Sequence, residues 1–219
     1  ILFDTDWQDE IYRNAVSTDH NLSASANIFN GIPFRASVGF TNNQGIVKEN
    51  DYRRTTASIK MSPSYFDNHL KIDINAKGVY SKKNAIDEGG ALGGAITMDP
   101  TKPVRSPFAT NIFDGYHQDF SQNGVALSGQ YNPVALLMQR ERPERAIRFL
   151  GIMEFDYKMH FLPELRAVVN VGLDSNKATM DEIFSNNSIA TYKVSNTNAQ
   201  GYVFNPGRKY YEYQTMTNT

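Results

Sequence analysis

The stretch LKIDINAKGVYSKKN, residues 70–84, decides the fold. Leu70, Ile72, Ile74 and Ala76 alternate with Lys71, Asp73 and Asn75. Successive side chains of a strand point to opposite faces, so this run has one apolar and one charged face. The same rhythm recurs on both sides of it. Phe34, Ala36, Val38 and Phe40 form one apolar row. Ile147, Phe149, Met153, Phe155 and Tyr157 form another, and Leu165, Ala167, Val169, Val171 and Leu173 a third. Weaker strands fit near Leu22 to Ile28 and near Arg53 to Met61, and Tyr210 to Thr217 reads as a further one.

Alternation alone fits a soluble sheet with one buried face as well as a membrane wall. Three details favour the membrane. The polar phase carries full charges, Lys71, Asp73, Glu154, Asp156 and Lys158, which suit a wet lumen. Aromatics sit at the strand ends, Phe34, Phe40, Tyr80, Phe149 and Tyr157, where interfacial girdles lie. The segments also reach the length of about 9–11 residues that a tilted strand needs to span a bilayer. Leu150, Ile152 and Val168 break the polar phase, and a lumen packed against a plug accepts them. The expected fold is therefore all-β, a segment of an antiparallel up-and-down transmembrane β-barrel. Phe34, Ala36, Val38, Phe40, Leu70, Ile72, Ile74, Phe149, Met153, Phe155, Val169 and Val171 are expected on one outward wall.

Connection lengths give the topology. Those around Asn30 to Pro33, Pro63 to His69 and His160 to Glu164 are short. Those around Asn42 to Asp51, Asn84 to Glu144 and Ser175 to Lys209 are longer. In outer-membrane barrels the short turns face the periplasm and the long loops face outside. Residues 1–219 thus read as part of a barrel domain, with large extracellular loops at 84–144 and 175–209. The strands at Phe34, Leu70 and Leu165 run outward.

Chemistry is not encoded in any motif. The 219 residues carry a formal net charge of -1, so a basic nucleic-acid surface is not indicated. With no cysteine there is neither a disulfide framework nor a thiolate site. No apolar run is long enough for a membrane helix, a test that leaves barrels untouched. His20, His69, His117 and His160 are scattered, and Ser17, Asp19 and His20 are neighbours in sequence only. Gly89 to Gly94 lacks the Lys-Ser/Thr of a phosphate loop and reads as a flexible surface loop. Asp9, Glu10, Asp87 and Glu88 read as solvated loop charges. Neither an enzyme nor a cofactor site is expected.

Several stretches resemble the SusC/RagA-type TonB-linked outer membrane transporters of Bacteroidetes. They are TDWQDEIYRNAVSTDHNLSASA, FRASVGFTNNQGIVKENDYRRTTASIKMSP, LKIDINAKGVYSKKN, AITMDPTKPV, FDGY and NPVALLMQRERPER, in family order. After Gly172 the likeness is loose. The resemblance implies a barrel of about twenty-two strands whose lumen is plugged. It implies a SusD-like surface lipoprotein over the extracellular face. It also implies import of oligosaccharides or peptides powered through TonB. The plug, the TonB-engaging motif and a signal peptide are not in these residues, so the sequence reads as an internal barrel piece, and TonB contact falls to a missing N-terminal region. The alternatives are a passive porin-like or structural barrel and a soluble β-rich glycan-binding module.

Within the large loop, Asp99 to Pro103 is expected as an ordered turn and Val134 to Glu141 as a short helix. Phe113 and Tyr116 are candidate anchors for the lipoprotein, since interface hot spots favour aromatics. Packing of the loop onto the rim is the competing account. Arg140, Arg142, Arg145 and Arg148 are interleaved with Glu141 and Glu144 at the outer rim. Arginine suits bidentate recognition of phosphate, so Arg140 and Arg142 are candidate contacts to lipopolysaccharide phosphates. Pairing with Glu141, Glu144 and lumenal carboxylates is the alternative.

Overall fold

A computed structural model describes residues 3–29, 31–107, 112–122, 124–197 and 199–219. Asn30, in the first short connection, lies outside them. Seven long strands form one meander: β1 (Ser17–Ile28), β2 (Ile32–Gln44), β3 (Asp51–Met61), β4 (Leu70–Asn84), β5 (Pro143–Lys158), β6 (Arg166–Phe184) and β7 (Gly207–Asn218). Each is antiparallel to its neighbour in sequence, and the sheet does not close on itself. Two-residue strands at Ser64–Tyr65 and Arg140–Glu141 extend it locally.

Register is what turns seven alternating sequences into two faces, because directly paired residues share a face. One continuous row runs Ala26, Phe34, Met61, Ile74, Met153, Val171. The next row up runs Ala24, Ala36, Ile59, Ala76, Gly151, Leu173. All twelve residues expected on the outward wall share this face. Val169 and Val171 remain more than half exposed, as they must if lipid rather than protein covers them. On β4 the apolar band runs from Leu70 to Tyr80, roughly 33 Å of strand at ~3.3 Å per residue, enough to cross a ~25 Å apolar band at a ~40° tilt. Exposed Phe29, Phe66 and Phe161 stand one on each short connection.

The opposite face is polar and internally paired. Ser37 and Ser58 hydroxyls meet at 2.7 Å, Lys71 binds Asp73 at 2.9 Å, and Arg148 and Arg166 make two-point contacts with Asp174 and Asp156. Leu150, Ile152 and Val168 do lie on this face.

Two boundaries differ from the sequence reading. β6 does not stop near Ser175 but runs to Phe184, and β7 starts at Gly207, so the expected loop 175–209 shrinks to 185–206. Above Leu173 the outward phase becomes Ser175, Lys177, Thr179 and Asp181, and the hydrophobic alternation that marks a strand vanishes while the pairing to β7 continues. Similarly, β2 and β3 continue to Gln44 and from Asp51, so the connection 45–50 is no longer than 62–69. Length alone therefore does not set it apart from the short turns.

Val171→Arg, in the middle of the apolar band, should cost the barrel about 2–4 kcal/mol in lipid. Asn170→Arg, one residue away and opposite Glu154 on the wet face, should be tolerated. Urea unfolding of the membrane-inserted protein measures both; equal costs would refute the face assignment.

Candidate binding surface

The buried core lies above the wall, among the connections, and not within the sheet. It is assembled from α1 (Trp7–Ile11), α2 (Glu88–Thr97), α3 (Pro133–Met138) and the segments between. Asp6 caps α1 by accepting from the Gln8 and Asp9 amides. The Trp7 indole N–H then donates to the Asp99 carbonyl at 3.0 Å, and the Thr5 hydroxyl to the Lys102 carbonyl at 2.7 Å. Two stretches some ninety residues apart are thereby locked together. Asp99 to Pro103 is an ordered turn as expected: the Lys102 amide reaches the Asp99 carbonyl, and the Asp99 carboxylate accepts from the Thr101 amide and hydroxyl. Those two donors hold the Asp99 carboxyl below its ordinary pKa.

The glycine stretch 89–94 is not a flexible loop but the body of α2, capped by Asp87. Glycine is a poor helix former, so tertiary packing decides here. A Cβ on Gly94 would lie 3.2 Å from both the Pro133 Cβ and the Tyr131 carbonyl oxygen, so a side chain there would push α2 and α3 apart by a few tenths of an ångström. The nearby carboxylates are committed to structure. Asp87 caps α2 and sits 3.5 Å from Arg140, and Glu88 accepts from the Asn50 amide group. Among the described residues no group of three or more His, Asp or Glu side chains is placed to hold a metal.

α3 is shorter than the expected 134–141 helix, and it divides the core. Val134 and Leu137 face a cluster with Trp7, Ile11, Val47, Ala91, Ala95 and Met98. Ala135 and Leu136 face a second with Phe113, Ile189 and Tyr192. Fully buried Asn132 caps the helix and also donates to the Val104 and His117 carbonyls at 2.9 and 3.1 Å. At the other end buried Gln139 donates to the Phe113 and Asn187 carbonyls and accepts from the Ile189 amide at 2.9 Å. One side chain so ties the 85–142 connection to the 185–206 connection. Sequence reading missed both residues. Their only signal was position, at either end of an apolar run of six.

Phe113 is 2% exposed, its ring enclosed by Phe120, Tyr192 and Phe204. It packs the loop, the competing account given for it, and is not an exposed anchor. Tyr116 is half-buried, with Arg105 4.4 Å above its ring and also donating to its hydroxyl. Its exposed side borders an open cleft of about 430 Å³, floored by Phe3, Pro103, Phe113 and Phe120 and rimmed by Lys102 and His117. Lys102 pairs with Asp119 at 3.1 Å beside it. Such a cleft offers rings for stacking and a few polar groups for orientation, a binding arrangement.

The two arginine candidates also move. Arg140 is held by Glu182 and Asp87 with its guanidinium over Phe184, and its register partner puts it on the wet face. Arg142 points at the Met180 sulfur, again on the wet side. Neither faces lipid. Arg148 is taken by Asp174, whereas Arg145 lies on the outward face.

No protein-family model matches the chain. It is 40% identical over 192 residues to the TonB-dependent receptor SusC of Bacteroides thetaiotaomicron, covering 83% of this chain and 19% of that one. The chain thus spans about a fifth of the length of the curated relative it matches. Among solved structures, two states of the RagAB peptide importer resemble it. The closed-closed state has a TM-score of 0.69 at 16% identity, over 98% of this chain and 22% of the other. The open-open state has a TM-score of 0.70 at 14% identity, over 100% and 23%.

Asn132→Ala removes a helix cap and takes the side-chain donor from the half-buried His117 carbonyl, a loss of about 2–4 kcal/mol. Amide exchange across 99–138 should accelerate while that of β4 and β5 stays unchanged; uniform acceleration would mean the loops and wall open together.

Proposed function

Because the chain belongs, as a fragment-level match, with the SusC-type TonB-dependent receptors, we propose that it forms one stretch of an outer-membrane barrel that imports nutrients. The two-faced register carries the reading: an unbroken apolar row outside, charged and hydroxyl groups inside, and every helix gathered at one end of the wall. The wet face lines the lumen, which a plug from elsewhere in the complete protein fills within a closed barrel of about twenty-two strands. The end carrying 85–142 and 185–206 is the extracellular mouth.

The cleft beside Tyr116 opens at that mouth. A SusD-like surface lipoprotein seats over this loop assembly, with Tyr116 and its partner Arg105 on the contact. The RagAB importer handles peptides; here the cargo is an oligosaccharide or a peptide, and TonB supplies the driving force through a region outside this chain. Aromatic rings interleaved with a few polar groups suit either cargo class.

Uptake of labelled oligosaccharides and peptides by cells expressing the complete protein tests the reading. It should stop when a protonophore collapses the proton-motive force; continued uptake would identify a passive pore. In the same cells Tyr116→Ala should reduce lipoprotein recovered by pull-down about tenfold, the scale of a modest hot spot. Undiminished recovery would remove Tyr116 from the contact.

A further inference from the structure

Just above the apolar band, where Thr55, Tyr80 and Ile147 share a row, the next outward row holds Arg53, Lys82 and Arg145. They sit on three consecutive strands in direct register, β3, β4 and β5, and all three are exposed. Like charges directly opposite one another repel, and a sheet normally avoids them. No ion pair or side-chain hydrogen bond engages any of the three among the described residues. Three of the surrounding carboxylates are already paired. Asp51 is bound by Arg13 at 2.8 Å, Glu144 by Lys83 on the wet face, and Glu212, farther along the row, by Lys177 at 2.6 Å. Glu49 shares a cleft with Arg53 and Lys82 without pairing to either. Thr179 continues the row on β6.

A second feature lies below it, on β4, β5 and the neighbouring β6. Gly78 faces Phe149 and Ala76 faces Gly151; Ala76 and Gly151 leave an apolar groove of about 320 Å³ bounded by Ile74, Phe149, Met153, Val171 and Leu173. A Cβ on Gly78 would meet nothing within 4 Å, whereas the Phe149 ring already lies against Gly151. The groove at Ala76 is six residues below Lys82, roughly 20 Å at ~3.3 Å per residue.

We infer that this face binds a phosphorylated, acylated lipid of the outer leaflet, its phosphate on Arg53, Lys82 and Arg145 and an acyl chain in the groove at Ala76 and Gly151. The observations agree on an amphiphile: a cationic row without direct ion pairs at headgroup height and an apolar trough beneath it. Arginine and lysine together suit phosphate, one by bidentate contact and the other as a point charge. The inference rests on the proposed outward wall and extracellular mouth.

The test uses the complete protein in neutral detergent, with bisphosphorylated lipid A as probe and native mass spectrometry as readout. The triple variant Arg53→Gln, Lys82→Gln, Arg145→Gln should bind about a hundredfold more weakly, the scale for losing charge-assisted contacts. Lipid A stripped of its phosphates should bind the unaltered protein as weakly as the variant binds the native lipid. Ala76→Phe, which fills the groove, should lower affinity about tenfold with the cations intact. Without lipid, the triple variant should be at least as heat-stable as the parent, because a repulsive row has been relieved. Retained affinity in the triple variant would overturn the inference, and so would inorganic phosphate displacing the lipid at equal concentration, which would mark a site for free anion. Val169→Trp, reported by brominated acyl chains, separates the two readings. Quenching with retained lipid affinity sinks the lipid site alone; absence of quenching sinks the outward wall with it.

Discussion

Backbone pairing in lipid is the constraint on which everything else depends. A strand in hydrocarbon has no water to satisfy its N–H and C=O groups, so its ladder must be continuous with its neighbours. From β1 to β7 that ladder runs without a slip. Side chains alternate with period two, so a single one-residue slip would turn every later strand inside out. Unbroken register therefore lets Phe34 on β2 and Val171 on β6, far apart in sequence, serve the same surface. It also brings Arg53, Lys82 and Arg145 side by side, though nothing in the chain links them locally.

The wall was legible because its physics is local. Leu70, Ile72 and Ile74 state their face within five residues, and the register needed only confirm that neighbouring rows agree. Legibility stopped where lipid stops. Above Leu173 the outward face of β6 turns polar as far as Asp181, and Lys177, Thr179 and Asp181 read as loop although they are fully paired with β7. The loop core was harder still. Nothing in Gly89 to Gly94 announces a helix, since the helix exists because Pro133 and Tyr131 crowd it and Asp87 caps it. For Phe113 and Arg140 the sequence left an outward contact and an internal packing or pairing role both open, and the structure shows the internal one. An aromatic or an arginine in a loop carries no mark of whether its partners are external or, like Tyr192 and Glu182, supplied by a distant segment.

The arginines show how register settles what composition leaves open. Arg142, Arg145 and Arg148 stand at spacing three along one run of chain, yet three different environments receive them. Arg148 completes a lumenal pair with Asp174, Arg142 leans on Met180, and Arg145 alone looks out. Counting acidic partners along the chain suggests that all are neutralised. The ladder shows where a cation is left over.

α3 carries one more consequence. A six-residue helix is far below the length at which helices persist alone, so every hydrogen bond in it is borrowed from the packing around it. The loop assembly and the wall are then two cooperative units with different origins of stability, one a small hydrophobic core in water, the other a ladder in lipid. They meet at a narrow seam, where Gln139 holds the two connections together and Arg140 bridges Asp87 to Glu182. Heating should melt the loop assembly before the wall, leaving a membrane-embedded ladder whose crown has lost its shape.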